Sequence, residues 1–410
     1  MPMTGWRFRV NCQVRRRPGS DAASRSVAEL FGLTPRREVL YRDFRLRVRP
    51  GQIVAVVGPS GAGKSVLLNA LARQAPRAIR LRIEPLARSG RTALGELLRP
   101  GRGRRVPFVR VQQALGLLAR CGLAEAAALA TPARRLSGGQ LYRLALAKAL
   151  WQASRARRPT LVLADEFAAV LDATTAEIVA AQLRKLVSSR PGLAVILSTP
   201  RHELLGPLAP DAVVVKPLGE PPQLSLRPAR LGRGPRPSWA IAAGRIGDYR
   251  ALAAFHYLAG PPAAHKRVWV VPVPPRLRRP GGPALAAVLV VSPPVIACRG
   301  RNVATGGRYT GPRRAGLARL NREIECISRV IVHPAFRSCG LAVRLVRHAL
   351  ATAQMPLVEA LAGMGAVHPF FKLAGLRFFG RFQGRSRTYN YYLGRSSVPW
   401  GQAERRAAHV

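Results

Sequence analysis

VAVVGPSGAGKSVLL, Val54 to Leu68, is the stretch whose reading decides the fold. An apolar run, Ile53 to Val57, passes into Gly58-Pro59-Ser60-Gly61-Ala62-Gly63-Lys64-Ser65 and then into a segment with helical spacing of apolar residues. The glycines let the backbone turn tightly and aim successive N–H groups inward, so phosphates would sit at a helix N-terminus, where partial positive charge collects. Lys64 is placed to reach the terminal phosphates of a nucleotide, and the Ser65 hydroxyl to complete a Mg²⁺ shell. A ligand-free glycine turn would need the glycines but not strand, loop and helix in this order.

At 410 residues the chain is too long for one ordinary core, and two or three domains are expected. No stretch approaches the roughly 18 to 20 uninterrupted apolar residues of a membrane-spanning helix, and the first twenty residues contain no apolar signal region. The sequence therefore reads as soluble and cytoplasmic. Its five cysteines, Cys12, Cys121, Cys298, Cys326 and Cys339, form no CxxC pair, which indicates neither a disulfide framework nor a zinc site. The net charge of +48 has two readings that stay open together: a polyanionic partner, nucleic acid or ribonucleoprotein, or a coding bias that raises Arg, since only 6 of the 67 basic residues are Lys. Between Asp248 and Glu323 there is no acid and there are 13 basic residues.

Along the chain, a first strand is expected at Trp6 to Val14 and little other order before Val27. Short alternating runs from Val27 predict a small antiparallel sheet leading to the phosphate-loop strand. Helical spacing predicts helices through Arg73, over Val111 to Leu129 and over Leu141 to Trp151; Ile79 to Pro85, Thr160 to Ala164 and Leu193 to Leu197 read as strands. Alternation of buried-type strands with helices signals a parallel sheet covered on both faces.

LVLADE, Leu161 to Glu166, is an apolar strand ending in two acids, so Asp165 is placed to hold Mg²⁺ through water and Glu166 to orient an attacking water. LSGGQ, Leu136 to Gln140, opens a helix with Ser137, Gly138, Gly139 and Gln140 at its N-terminus, where backbone N–H groups meet a phosphate. AVLD, Ala169 to Asp172, ends in an acid at a turn. With the phosphate loop, these motifs make residues 27 to 216 resemble the ABC-type ATPases. In that family the Ser-Gly-Gly-Gln signature belongs to the opposing subunit's nucleotide, so the resemblance implies ATP as cofactor and a homodimer with two composite sites. It also implies adenine stacking on Phe31, phosphate contacts from Gly58, Ser60, Gly61, Gly63, Lys64 and Ser65, and Asp172 as the link between the two sites. Two departures stand out. The histidine expected directly after Thr199 is replaced by Pro200, leaving His202 as the switch or as a surface histidine. Ile83-Glu84-Pro85 lacks the glutamine that reads a membrane partner, Gln112 and Gln113 appearing only later.

In the second half, ECISRVIVHP, Glu325 to Pro334, reads as a strand followed by Arg337-Ser338-Cys339-Gly340-Leu341-Ala342 at the start of a helix. Such an R-x-x-G-x-A start can take a pyrophosphate on backbone amides. With the run Pro356 to Gly380, which contains HPFFKLAGL, residues 240 to 395 resemble the GNAT acetyltransferases. That resemblance implies acetyl-CoA as cofactor, its pantetheine arm on the strand edge near Ile331 and Val332, and its pyrophosphate on the amides of Arg337, Gly340 and Ala342. Glu325 is the candidate base, or a strand-end charge facing solvent. Phe370 and Phe371 stand where many relatives carry an acid tyrosine.

The expected fold class is thus α/β throughout: an N-terminal ABC-type P-loop ATPase domain followed by a GNAT-like α/β acyltransferase domain. The expected boundaries are a basic segment over 1–26, the ATPase over 27–216, a Pro/Arg/Gly-rich linker over 217–238, the acyltransferase over 239–395 and a tail over 396–410. Placed together, the halves resemble a family of soluble ABC-type ATPases fused to a predicted acetyltransferase, implying ATP hydrolysis coupled to N-acetyl transfer onto a macromolecular target. Two alternatives stay beside this one: a nucleic-acid-associated ATPase whose second domain is a degenerate docking module, and the ATP-binding subunit of a transporter.

Overall fold

Arginines and apolar residues alternate along both Trp6–Arg16 and Arg36–Val48, so each strand has one wet and one oily face. The two pair antiparallel, from Trp6 opposite Val48 to Arg16 opposite Arg36, with Phe8, Val10, Leu46 and Val48 all buried. The computed structural model describes residues 5–16, 19–30, 36–99, 106–226, 238–256, 262, 264–278, 282–310, 313–337, 339–363, 365, 369–384 and 388–398.

In chain order the elements begin with β1 (Trp6–Arg16), α1 (Ala22–Leu30), β2 (Arg36–Val48), β3 (Ile53–Val57), α2 (Lys64–Gln74), β4 (Ile79–Arg80) and α3 (Glu84–Ala87). There follow α4 (Ala93–Leu98), α5 (Phe108–Arg120), α6 (Ala126–Ala130), α7 (Gly138–Ser154), β5 (Thr160–Ala164), α8 (Ala173–Ser188), β6 (Leu193–Thr199), α9 (Leu205–Leu208), β7 (Ala212–Val215) and β8 (Gln223–Leu226). The remainder comprises β9 (Ala242–Gly244), α10 (Ile246–Leu252), β10 (Arg267–Pro272), β11 (Leu285–Ser292), α11 (Arg299–Ala304), α12 (Arg313–Glu323), β12 (Ile324–Val332), α13 (Leu341–Ala351), β13 (Leu357–Ala362), α14 (Phe370–Ala374), β14 (Arg377–Gln383) and β15 (Thr388–Arg395). The described residues divide into two compact units, Met1–Gly90 with Pro132–Gly234, and Arg91–Thr131 with Pro235–Val410.

The first unit is built on a sheet of order β4-β5-β6-β3-β7-β8, parallel except for β8. Every residue of β3, β5 and β6 is buried, as an apolar strand covered on both faces requires. The oily face of β1 and β2 joins Leu67, Leu68 and Leu71 of α2 and Val54 and Val56 of β3 in one core. Arg184 fastens the start of β3: it donates to Asp211 Oδ2 at 2.8 Å and to the Gly51 carbonyl at 2.9 Å, while Asp211 accepts the Ile53 N–H at 2.8 Å. Because β3, β5 and β6 run parallel, their carboxyl ends deliver Gly58–Ser65, Asp165–Glu166 and Thr199–His202 to the same edge of the sheet, where α/β sheets take ligands.

The second unit has a sheet of order β14-β15-β13-β12-β11-β10-β9, in which only β12 and β13 pair parallel. Tyr249 and Leu252 of α10 pack on Val268, Val270, Val288, Val290 and Ile331, and a second cluster gathers Cys298, Leu320, Ile324, Leu357, Tyr391 and Leu393.

Several local expectations are corrected. Residues 22–30 are helical, not disordered or extended; Asp21 accepts the Ser24 N–H at 2.9 Å, the kind of cap that starts a helix. The strand expected over Ile79 to Pro85 is only Ile79–Arg80, because Pro85 fits the first turn of α3. The helix expected over Val111 to Leu129 breaks at Gly122, whose φ of +84° ends α5 before α6 begins. Within the expected linker, 223–226 form β8 on the edge of β7, and 227–237 lie outside the described residues, as do 399–410 of the expected tail.

A buried ion pair ties the sheet of the second unit to α11. Arg301, 1% exposed, donates to both carboxylate oxygens of Glu359, 0% exposed, at 2.9 and 2.7 Å, and Tyr391 donates to the same carboxylate at 2.8 Å. Removing one partner of such a pair leaves an uncompensated buried charge, typically costing about 3–5 kcal/mol, whereas replacing both with apolar groups is far milder. Arg301→Met should therefore lower thermal stability sharply and Arg301→Met with Glu359→Leu should recover part of the loss, as read by calorimetry of the full chain.

Candidate functional site

The phosphate loop owes its path to a close approach. Gly58 has φ +148°, and a Cβ there would lie 2.1 Å from the Lys216 carbonyl oxygen, so no side chain fits. The loop continues through Ser60 and Gly61, both exposed, to Gly63, whose left-handed backbone (φ 95°) caps the start of α2. Lys64 is buried and donates to the carbonyls of Gly58 at 2.8 Å and Pro59 at 2.7 Å, which places its ammonium inside the loop; Ser65, in the first turn, is exposed.

Two residues supporting the loop were missing from the sequence reading. Tyr41 is 1% exposed and donates to the Gly63 carbonyl at 3.1 Å, and its ring centroid lies 5.8 Å from Lys216 Nζ. Lys216, also 1% exposed, donates to the carbonyls of Pro217 at 3.0 Å and Glu220 at 2.7 Å, and burial lowers its pKa. Nothing in the local sequence signals either role, since one lies 17 residues before the loop and the other 158 after it, by the numbering of Tyr41, Gly58 and Lys216.

Asp165 and Glu166 follow β5, which is separated from β3 by β6. Ser198, the penultimate residue of β6, donates to Asp165 Oδ1 and accepts the Glu166 N–H at 3.0 Å. Both acids are exposed at this edge. Glu166 has φ +48°, a left-handed backbone that costs a non-glycine residue of order 1 kcal/mol and is held only by strong neighbours. Those neighbours are Phe167, 0% exposed and edge-on to Tyr142 at 6.4 Å, and the Tyr142 oxygen, which accepts the Ala168 N–H at 2.9 Å. Ser198 and Tyr142 are thus further positioning residues.

Ser137 and Gln140 close a capping box on α7, with Ser137 Oγ accepting the Gln140 N–H at 3.3 Å and Gln140 Oε1 accepting the Ser137 N–H at 3.0 Å. Gly138 is exposed and Gly139 half-buried, so the turn offers backbone rather than side-chain surface. Asp172 caps α8, accepting the Thr175 N–H at 2.9 Å. His202 is exposed at the start of a short 3₁₀ turn, while its neighbour Arg201 reaches back to the carbonyls of Ala168 at 3.2 Å and Leu171 at 2.9 Å. The side chain that grips the loop after Glu166 is therefore Arg201. Phe31 lies outside the described residues.

In the second unit, β12 pairs with β13 only from Ile324 opposite Leu357 to Ile327 opposite Ala360, although both strands run on. On its other side β12 keeps pairing with β11, and the bond from His333 N–H to the Ala286 carbonyl fixes the phase of that ladder. Since bonded pairs alternate, Ile331 points its backbone at β11, and Val330 and Val332 point theirs at the side that β13 has left. The edge expected at Ile331 and Val332 is thus Val330 and Val332, and the Val332 carbonyl accepts from Arg337 Nε at 3.2 Å. Gly340 (φ 79°) caps α13 and is exposed, and Ala342 follows half-buried in the first turn. Glu325 does not face solvent: it is 0% exposed and ion-paired to Arg267, and burial pushes its pKa up against the pull of that arginine. Enclosure beside Arg267 makes it a fixed counter-ion. Phe370 and Phe371 open α14, with the Phe371 ring tilted against Tyr392 at a centroid distance of 5.3 Å.

A lysine-lined phosphate loop with two acids on the next strand but one is the layout of a P-loop nucleoside triphosphatase, and the loop and strand ends fit Mg²⁺-ATP: backbone N–H groups for the phosphates, Ser65 and Asp165 for the metal. Comparison with known proteins agrees. The family model described as ABC transporter matches residues 41–169. The chain is 35% identical over 214 residues to the lipoprotein-releasing system ATP-binding protein LolD of Maricaulis maris, covering 45% of this chain and 88% of that protein. It is 33% identical over 211 residues to the phosphonates import ATP-binding protein PhnC of Hyphomonas neptunium, covering 43% and 77% respectively. Among solved structures it is similar to a dimeric bacterial ABC transporter cassette at 20% identity and TM-score 0.39, over 54% of this chain and 98% of that one. Through its N-terminal half, the chain belongs to the ABC transporter ATP-binding family. No helix among the described residues is long and apolar enough to cross a membrane.

The close approach at Gly58 gives a direct check. Gly58→Ala should displace the loop from Lys216, abolishing binding of a fluorescent ATP analogue and lowering the melting temperature of the full chain.

Proposed function

We propose that this chain works as an ATP-driven homodimer whose second unit is a GNAT-like acetyl-CoA-dependent N-acetyltransferase acting on a polyanionic target, nucleic acid or ribonucleoprotein. In this reading the loop from Gly58 to Ser65 holds ATP, Asp165 and Ser65 hold Mg²⁺, and Glu166 orients water. Ser137 to Gln140 close on the nucleotide of the second copy, Asp172 stands beside the joint, and His202 contacts the terminal phosphate while Arg201 anchors the turn. ATP belongs with the family; the dimer, the acyl transfer and the target are our assignments. The observation that carries the acyl-CoA part is the parting of β12 from β13 after Ile327, followed by the Gly340 cap of α13. An open strand edge leading to a helix N-terminus suits an extended amide-bearing arm that ends in phosphates. Because Glu325 is enclosed, we assign it to positioning through Arg267 and leave deprotonation of the acceptor amine to another group.

The relatives, ATP-binding proteins of a lipoprotein-releasing system and of phosphonate import, favour a second reading, a transporter's ATP-binding subunit. That reading predicts recovery of the native protein in a membrane complex.

Glu166→Gln should keep ATP bound and shift the full chain from monomer to dimer in light scattering with ATP; a variant that stays monomeric in saturating ATP would overturn the composite site. Calorimetric titration of the full chain with acetyl-CoA should show binding, weakened at least tenfold by Ala342→Glu. Absence of binding at millimolar acetyl-CoA would remove the acyltransferase and leave the ATPase standing.

A further inference from the structure

The wet face of the β1–β2 ribbon gathers basic side chains from both strands. On β1 its exposed positions are Arg7, Arg9, Asn11, Gln13 and Arg15, every one a hydrogen-bond donor and none an acid. Opposite them β2 places Arg47 against Arg7, Arg45 against Arg9 and Arg37 against Arg15. Like charges directly across an antiparallel pair are destabilising by a few tenths of a kcal/mol or more. Among the described residues of these strands the exposed acid is Asp43, which pairs with Arg9 and Arg45 and so relieves one of the three facing pairs. Glu38 shares the opposite face, across from Val14.

We propose that this face is a binding surface for the phosphate backbone of nucleic acid. This deepens the polyanionic-target part of the reading above and depends on neither its ATPase nor its acyl-CoA part. Alternate residues of a strand are about 6.8 Å apart, so Arg7 to Arg15 spans about 27 Å of charge, comparable with one turn of a duplex. Guanidinium groups grip phosphate oxygens two at a time, and Asn11 and Gln13 add donors between them. The oily face is spent on the core, so the ribbon is rigid and its arginines are already gathered. An anionic bilayer is a poorer match: the wet face carries one exposed large apolar residue, Val39, and no aromatic to enter the headgroups.

The basic surface continues past the ribbon. Gln74 at the end of α2 accepts the Arg9 N–H at 3.1 Å and donates to the Arg9 carbonyl at 2.9 Å. The same helix end lines a cleft of about 560 Å³ with Asn69, Arg73, Arg80, Arg82 and Gln152. A strand laid along the ribbon is thus led toward a second group of arginines.

The test uses fluorescence anisotropy of the full chain with a labelled 20-base-pair duplex between about 50 and 200 mM salt, where each lost phosphate contact lowers the salt slope by about 0.9. Arg7→Gln/Arg15→Gln/Arg47→Gln should lose at least tenfold in affinity at 100 mM salt and about two to three units of slope. Arg155→Gln/Arg157→Gln/Arg158→Gln, which removes the same charge from another exposed segment, should change affinity less than twofold. The ribbon triple should melt no lower than the parent, since it relieves facing charges. Equal losses in both triples would overturn the ribbon and leave a diffuse polyanion attraction. No duplex binding by the parent at 50 mM salt would overturn both. Ribbon-dependent binding to phosphatidylserine vesicles without ribbon-dependent duplex binding would assign the face to membranes and overturn the proposal.

Discussion

The chemistry of the N-terminal unit hangs on the space between Gly58 and the Lys216 carbonyl, a gap a single Cβ would fill. That approach bends the chain out of β3 early enough for Lys64 to fold back over the loop and for α2 to start with its N–H groups facing the sheet edge. The parallel register of β3 with β6, and of β6 with β5, then decides everything else at this edge, because it sets how far Asp165 and Glu166 stand from the loop. Arg184 and Asp211 fasten the far end of β3, so the strand cannot slide to relieve the crowding at Gly58. The site is thus determined by backbone geometry before any side chain acts.

This is why so much of the first unit was legible in sequence. The strand, loop and helix around Lys64, the acids at the end of Thr160–Ala164 and the cap at Ser137 are local motifs whose residue types are dictated by backbone conformation. What escaped is what acts across the chain. Tyr41, Lys216, Ser198, Tyr142 and Arg201 all work through contacts to a backbone group distant in sequence, and no local pattern announces such a contact. The boundaries that shifted did so at residues with special backbone demands, Pro85 and Gly122, where tertiary packing chooses between outcomes that propensity leaves level.

The second unit was legible in its strand and helix pattern but less so in its charges. Glu325 and Glu359 occupy apolar strands, and sequence alone gives no sign that each is met by an arginine from a different element. Buried pairs of this kind are weak sources of net stability, but an alternative register would strand a charge without its partner, which is costly. In this sheet both lie inside the short paired stretch, just before β12 and β13 part: Glu325 is opposite Val358, and Glu359 lies opposite Cys326. Two fixed charges on neighbouring strands are a physical reason for the pairing to hold up to Ile327.

The arginine excess has different consequences in different places. Inside the second unit, Arg301 and Arg267 are each matched by a carboxylate, because the interior tolerates no unpaired charge. At the sheet edge Arg201 is consumed by backbone carbonyls and by Glu203, whose pKa it lowers through their hydrogen bond. The wet face of β1–β2 is the contrasting case: the strands fix the spacing of its arginines, the core fixes which way they point, and Asp43 compensates only Arg9 and Arg45. Water screens that field but does not remove the crowding of Arg7 against Arg47 and of Arg15 against Arg37. A bound chain of phosphates would remove it, which makes the stability of the ribbon and its occupancy two aspects of one electrostatic constraint.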